Sequence, residues 1–357
     1  MTLVLALFAI ILLFFILEDL YLKRKLRKIP VRILVNGTRG KTTTVRLIVA
    51  ALEAAGIKAL GKTTGSEAAI ILPGSKVEKI RRRKGARLEE NIAFARRAVE
   101  EGAQAIVVEC MALRDETQRM MRDKFVRPTA VVITNTLSDH AAEMGPEKGD
   151  VVHALSCCVP RGAKLYVTGH EYDGLEADIH HVEVVHNECE SPLATHDEDV
   201  CLALAVLEDL GVDRGQALQA FSSAIPDVGL QGDIELGGNR FIPSFSVNDK
   251  ESMTRAIEQA GGNLTVVFNN RADREYRIDY IEEALLAHPQ AVEKVIAVGD
   301  YKAKTARHIA KRTHLPCQAL TPVEALEEVC RGEGRTILCL GNIKGAGEEL
   351  ISLAKEV

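Results

Sequence analysis

The sequence contains no tryptophan, and aromatic residues make up only 4% of its 357 positions. That scarcity argues against base-stacking platforms of the kind single-stranded nucleic acid needs. An excess of positive charge is also missing. The formal net charge is -5, so a nucleic-acid-like basic chain is excluded and any anion site must be built locally. The eight cysteines, at 110, 157, 158, 189, 201, 317, 330 and 339, form no C-x-x-C pair. Without such spacing there is no metal knuckle and no disulfide framework, and the thiols read as reduced core residues. Long repeats are absent, and low complexity is confined to RRRK at 81–84.

What is present is ordinary for a globular chain of more than one domain, with 46% hydrophobic and 27% charged residues,. Leu3 to Leu17 is uncharged and almost wholly apolar, and Leu20 to Leu22 extends it past Glu18 and Asp19. Fifteen residues fall short of the roughly 20 that span a bilayer, and counting on to Leu22 makes a tilted span feasible. The positive residues Lys23, Arg24, Lys25, Arg27 and Lys28 follow the apolar run, whereas a cleaved signal peptide carries them before it. A signal-anchor helix is therefore expected, with the body of the protein in the cytoplasm.

After Pro30, short β-branched runs alternate with helical segments: VRILV, a helix over 42–55, a helix over 88–101, AIVVEC at 105–110 and TAVVITN at 129–135. This alternation implies an α/β domain with a parallel sheet. Helices follow over 199–210 and on to about Ala224. The Pro- and Gly-rich stretch at 226–245 suggests a boundary near residue 228. Beyond it LTVVFNN, KVIAVGD and TILCLGN are three apolar strands separated by helices, a second and smaller Rossmann-like α/β domain. The expected division is an anchor and basic segment over 1–29, a central α/β domain over 30–228 and a C-terminal α/β domain over 229–357.

The chemistry starts at ILVNGTRGKTTTV, Ile33 to Val45. A strand-to-helix turn with Gly37 and Gly40 lets backbone N–H groups approach phosphate oxygens. Lys41 supplies a mobile positive charge and Thr42 a hydroxyl for Mg²⁺. The usual phosphate loop, G-x-x-x-x-G-K-[ST], would need glycine where Val35 stands. Glu109 ends the strand AIVVEC, at the strand edge where ligands bind in α/β sheets, and can face the same Mg²⁺. Asn135, Asp139 and His140 follow the next strand in TNTLSDHAAEMG. His140 could ligate a metal with Asp139 orienting it, or either residue could cap a helix. RRRK at 81–84 reads as a solvated charged face or as a landing strip for a polyanion.

Together NGTRGKTTT, VVECMA at 107–112 and TNTLSDHAAEMG at 134–145 resemble the Mur ligase superfamily, whose phosphate loop is G-T-x-G-K-[ST] and whose members join an amine to a carboxylate with ATP. The anchor, E-C-M-A at 109–112, FNNRADREYR at 268–277 and GNIKGAGEE at 341–349 make the chain most similar to the ATP-dependent ligase subunit of poly-γ-glutamate synthases. The phosphate loop follows the anchor almost directly, so a UDP-binding domain and a UDP-muramoyl substrate are not expected. The resemblance implies a binding loop of Gly37, Thr38, Arg39, Gly40, Lys41, Thr42 and Thr43, with Lys41 on the phosphates and Thr42 and Glu109 on the first Mg²⁺. It implies a second Mg²⁺ at His140, which makes Lys41, Glu109 and His140 the catalytic set.

The chain departs from the family in three places. Residues 153–157 read HALSC, with no lysine for the carbamylated residue many relatives use. Asp199 stands where relatives often place an adenine-contacting Asn. In SFSVNDKES at 244–252, Ser244 replaces an Asp while Asn248 is kept. Asn270 and Arg271, with Asp273 and Arg274, would close over the nucleotide or the incoming amino acid. The implied cofactors are ATP and Mg²⁺. The implied partners are glutamate, the growing anionic chain, the membrane, a small integral membrane subunit and other copies in an oligomer. A membrane-anchored P-loop ATPase or kinase, a folylpolyglutamate-type ligase and a nucleotide-binding scaffold are the competing readings.

Overall fold

The computed structural model describes residues 2–65, 68–82, 85–137, 141–145, 147–186, 189, 197–222, 224, 233–245 and 247–357. They fall into two compact units, Met1–Ile225 and Pro226–Val357. The first begins with α1 (Thr2–Leu26), β1 (Val31–Asn36), α2 (Lys41–Ala54), β2 (Ala59–Thr63), β3 (Ala69–Leu72) and β4 (Lys76–Lys79). Next come α3 (Glu90–Glu100), β5 (Ala105–Glu109), α4 (Asp115–Met120), a π-helical turn (Met121–Phe125), β6 (Ala130–Ile133) and α5 (Ala141–Met144). It closes with α6 (Lys148–Ser156), β7 (Lys164–Val167), β8 (Asp178–His181), α7 (Asp197–Asp209) and α8 (Arg214–Ser222).

The eight strands lie in the order β4-β3-β2-β5-β1-β6-β7-β8. β1 is buried along its last four residues and pairs in parallel with β5 and β6. The alternating pattern leads one to expect a parallel sheet, and it is one from β2 to β8. β3 and β4 add an antiparallel hairpin at one side, because Pro73-Gly74 turns the chain before a helix can form. α2 packs on β2 and β5 and against α7 and α8. Its Leu47, Ile48 and Leu52 are fully buried, each stabilising the unit by about 1.5–3 kcal/mol.

α1 has two different halves. Leu3 to Leu17 are exposed, and this is the one described helix long and apolar enough to cross a membrane. Its lower turns belong to the folded body. Leu22 and Leu26 are buried with Ile29 in the first core, Glu18 meets Lys124 at 2.6 Å and Asp19 meets Arg127 at 2.9 Å. Of the extension expected to lengthen the span, Leu20 and Tyr21 are exposed and Leu22 packs into the domain. The two acidic residues that interrupt the run are its ion-pair partners.

The second unit contains β9 (Ile234–Leu236), β10 (Asn239–Ile242), α9 (Lys250–Ala260), β11 (Leu264–Asn270), a 3-10 turn (Ala272–Arg274) and α10 (Arg277–Ala287). β12 (Val292–Gly299), α11 (Lys302–Thr313), β13 (Cys317–Ala319), α12 (Pro322–Val329), β14 (Thr336–Gly341) and α13 (Ala346–Glu356) complete it. Its six strands run β13-β12-β11-β14-β10-β9, parallel except for β9 on β10. The three apolar runs seen in the sequence are its central strands β12, β11 and β14. β11 is buried at all seven positions, as a central parallel strand covered on both faces should be.

Candidate active site

The phosphate-loop residues connect β1 to α2, at the carboxyl edge of the first sheet. Gly37 has φ +120°, and a Cβ there would fall 2.2 Å from Thr134 Oγ1. Gly40 precedes α2 in a left-handed conformation, φ 79°, and a Cβ on it would fall 2.0 Å from Asp199 Oδ1. Both positions therefore demand glycine through conformation and through space. The loop is tied to the chain after β6. Thr38 Oγ1 donates to Asn135 Oδ1 at 2.6 Å, Arg39 N donates to the same oxygen at 3.1 Å, and Leu137 N donates to Thr38 Oγ1 at 3.0 Å. Lys41 Nζ curls over the loop's own carbonyls, 2.6 Å from Gly37 O and 3.0 Å from Thr38 O. Thr43 is buried beneath the first turn of α2.

Glu109 ends β5 and is buried. Its Oε2 accepts from Thr42 Oγ1 at 2.9 Å, Thr64 N at 2.6 Å and Gly65 N at 3.3 Å. The expected meeting of Thr42 and Glu109 is thus present as a direct contact. A hydroxyl and a carboxylate oxygen beside a lysine are the hard donors a Mg²⁺–phosphate pair requires, so the donor set fits that ion. His140 and Asp139 lie outside the described residues.

Several contacts around Glu109 and behind it were not expected from the sequence. The amides of Thr64 and Gly65 fix Glu109. Lys62, in the GKTTG run at 61–65, is fully buried with Nζ 3.5 Å from Glu90, and burial lowers its ammonium's pKa while Glu90 opposes the shift. Arg82 grips Glu90 through two bonds of 2.8 and 2.9 Å. Burial acts to lift that carboxyl, but Arg82 and Lys62 hold it below the usual range. One arginine of RRRK is therefore an internal clasp; Arg83 and Lys84 lie outside the described residues.

Asp199, in the first turn of α7, is almost fully buried against Gly40. Burial, helped by the neighbouring Glu198, pushes its carboxyl up to about 8, against the opposing pull of the Thr44 hydroxyl and the Lys41 charge. A carboxylic acid held neutral under the loop is a different object from an amide aimed at adenine.

In the second unit Asn248 is half-buried with an enclosed, unbonded Oδ1. Asp249 caps α9 by accepting from Ser252 N at 2.9 Å. Asn270 is fully buried, and its Nδ2 donates to Asp300 O at 3.2 Å and Thr305 Oγ1 at 3.1 Å. Its Nδ2 is thereby tied to the unit's own framework, while its Oδ1 is enclosed and unbonded. Arg271 is partly exposed and pairs with Asp273 at 2.8 Å. Asn269 and Asn342, which the sequence reading did not single out, bond to each other's backbone carbonyls, and Arg277 donates to Asn342 Oδ1.

All eight cysteines are free thiols. Burial raises Cys110 to about 11 and Cys158 further still, which makes them inert packing behind the site.

Residues 35–148 match the Mur ligase middle domain, and residues 234–356 match the poly-gamma-glutamate synthase CapB C-terminal domain. The chain is 30% identical over 382 residues to the PGA synthase CapB of Bacillus subtilis (strain 168), covering 98% of this chain and 96% of that protein. It is 31% identical over 365 residues to the capsule biosynthesis protein CapB of Bacillus anthracis, covering 94% and 78%. A bifunctional folylpolyglutamate synthase/dihydrofolate synthase of Yersinia pestis, complexed with AMPPNP and Mn ion, shares the fold. Its TM-score is 0.74 at 14% identity, over 92% of this chain and 90% of that one.

Proposed function

The chain belongs to the poly-γ-glutamate synthase CapB family, and from that premise we infer that it is an ATP-dependent amide ligase that polymerises glutamate. The observation that carries the reading is the Thr42–Glu109 contact of 2.9 Å, beside a glycine-bounded loop that Lys41 overhangs. A carboxylate and an amine do not condense unaided in water, so the carboxylate must be activated. A γ-carboxylate oxygen of glutamate attacks the γ-phosphorus of ATP. The bond to the bridging oxygen breaks, and ADP leaves with that electron pair. An α-amine then attacks the acyl carbon, phosphate is expelled, and the nitrogen loses a proton to give the γ-amide.

The chain's own part in these steps is positioning and charge neutralisation. Lys41 leaves the Gly37 and Thr38 carbonyls to neutralise the transferring phosphoryl group, and the loop amides around Gly40 bind its oxygens. Thr42 and Glu109 would hold Mg²⁺, which when bound supplies charge to the β- and γ-phosphate oxygens. The Yersinia pestis protein of the same fold is complexed with AMPPNP and Mn ion, in keeping with a nucleotide and a divalent ion here. His140 is assigned the acceptor side, from the motif TNTLSDHAAEMG.

Leu3 to Leu17 anchor the protein in the membrane, with the body on the cytoplasmic side where Lys23 to Lys28 favour it. The exposed apolar length, about 22 Å at 1.5 Å per residue, is short of a bilayer core of about 30 Å. That deficit favours assembly with a small integral membrane subunit or with further copies.

The test uses membranes carrying the full chain, supplied with Mg²⁺, ATP and glutamate. ADP release that depends on glutamate and is matched by new γ-amide bonds is expected. Turnover indifferent to glutamate would mean a motor or kinase and would sink the ligase reading.

A further inference from the structure

Away from the phosphate loop, the β7–β8 crossover gathers His170, Asp173 and His181 with one ligand atom from each lying within 4.8 Å of the others. We propose that these three residues form a binding site for a borderline divalent transition cation, with Zn²⁺ as its type. Asp173 lies between the two imidazoles. Its Oδ2 is 3.2 Å from His170 Nδ1 and its Oδ1 is 3.0 Å from His181 Nε2. The two rings are tilted at 34° with centroids 4.3 Å apart. Two imidazole nitrogens and one carboxylate oxygen are a set that suits Zn²⁺, Co²⁺ or Ni²⁺, and not the all-oxygen preference of Mg²⁺.

The ligands stand on a fixed frame. His181 ends β8, in register with Val167 of β7. The loop bearing the other two is folded on itself by Asp173 N to His170 O at 3.3 Å and Leu175 N to Tyr172 O at 3.0 Å. Tyr172 pins it, being 3% exposed in the first core. Alternation along β8 sends His180 to the opposite face, where it stacks on Tyr166, so it is not a fourth ligand. Three protein ligands and an open, solvent-facing fourth position are the form of an accessible zinc centre.

Two other groupings of comparable size are occupied by a guanidinium. Arg119 lies 3.3 Å from Asp115 and 3.5 Å from Cys157 in the Asp115–His153–Cys157 group. Arg312 lies 3.5 Å from Glu282 in the Asp279–Glu282–His308 group. Asp173 has only its two histidines as ion-pair partners among the described residues. A cation there would displace imidazole protons, so binding weakens as pH falls. It would also tether the edge strand β8 to its own crossover.

The experiment is a titration of the detergent-solubilised full chain, without a polyhistidine tag, against Zn²⁺ and then Co²⁺. One stoichiometric site is expected, with visible Co²⁺ absorption bands and a raised melting temperature. His170→Ala with His181→Ala should abolish the bands and lower Zn²⁺ affinity at least tenfold, whereas His153→Gln with Cys157→Ser should leave both unchanged. Because the readouts are metal binding and melting, they are independent of the ligase assay. Loss of binding in the His153/Cys157 variant alone, unchanged binding in the His170/His181 variant, or no stoichiometric binding would each overturn the proposal.

Discussion

At the carboxyl edge of the first sheet, β1 runs out into a glycine-bounded loop whose Thr38 and Arg39 amides bond to Asn135 and whose lysine rests on its own carbonyls. At the same edge of the second sheet, β11 and β14 run out into Asn269, Asn270 and Asn342, whose amides are bonded to backbone and side chains of the unit itself. One fold class thus ends its strands in two ways. The open edge presents a lysine and the start of a helix, where an anion can be met, and the closed edge uses its amides to hold strand ends and following loops together. The difference teaches where substitutions should alter chemistry and where they should alter stability.

The largest effect is expected at the open edge. Lys41→Ala removes the mobile charge over Gly37 and Thr38, and glutamate-dependent ADP release should fall by about 10²–10³-fold, the cost of deleting one preorganised stabilising group. The melting temperature should move little, because the bonds of the Lys41 ammonium to Gly37 O and Thr38 O are local to the loop. A variant that melts early but keeps its turnover would erase the contrast between the edges.

Asp199 tests whether the open edge rests on a neutral acid. Its carboxyl is pushed up to about 8 from an ordinary 3.8, so between about pH 4 and pH 8 the folded chain holds a proton that the unfolded chain releases. Stability then falls as pH rises through that window and levels above it. Asp199→Asn removes the proton and the slope. Relative to the parent, the variant should gain up to a few kcal/mol between pH 5 and pH 8.5, read as diverging melting temperatures. Parallel melting curves at the two pH values would mean that the acid is ionised and paired.

Glu109→Gln keeps an acceptor for Thr64 N and Gly65 N but loses the negative charge. The Mg²⁺ concentration for half-maximal turnover should rise roughly 10–100-fold, the range seen when support around a metal is weakened. Turnover at saturating Mg²⁺ should recover in part. Failure to shift the Mg²⁺ requirement would make Glu109 a brace for the 64–65 turn alone.

How much of this could be read from the chain follows from where the information sits. Gly37, Gly40, Lys41 and Thr42 are contiguous, and each residue type is demanded by its conformation or chemistry, so the loop is visible in the sequence. Glu109 is visible as the acid at a strand end. Thr64 and Gly65 contribute backbone amides, which leave no side-chain signature, although GKTTG at 61–65, an echo of GKTTT at 40–44, marks the place. Lys62 is hidden because only a tertiary partner, Glu90, makes a buried lysine tolerable. Asn269 and Asn342 are 73 positions apart, beyond any local pattern. Glu18 and Asp19 look like a flaw in an apolar run until Lys124 and Arg127 are placed beside them.

The smallest expected effect falls on the residue where sequence and geometry disagree most. FNNRADREYR suggests that Asn270 closes over a ligand, yet its Nδ2 is bonded to Asp300 O and Thr305 Oγ1 in a fully buried position,. If the closed edge is structural, Asn270→Ala removes a donor from the buried Thr305 hydroxyl and the part-buried Asp300 carbonyl and costs about 1 kcal/mol, seen as a melting point roughly 2–4 °C lower. The KM values for ATP and glutamate should stay within twofold of the parent. The partly exposed Arg271, one position on, supplies the contrast: Arg271→Ala should leave melting unchanged because its pair with Asp273 is a surface one. A raised KM in the Asn270 variant with unaltered melting would move Asn270 from framework to ligand, and the second edge would then be open as well.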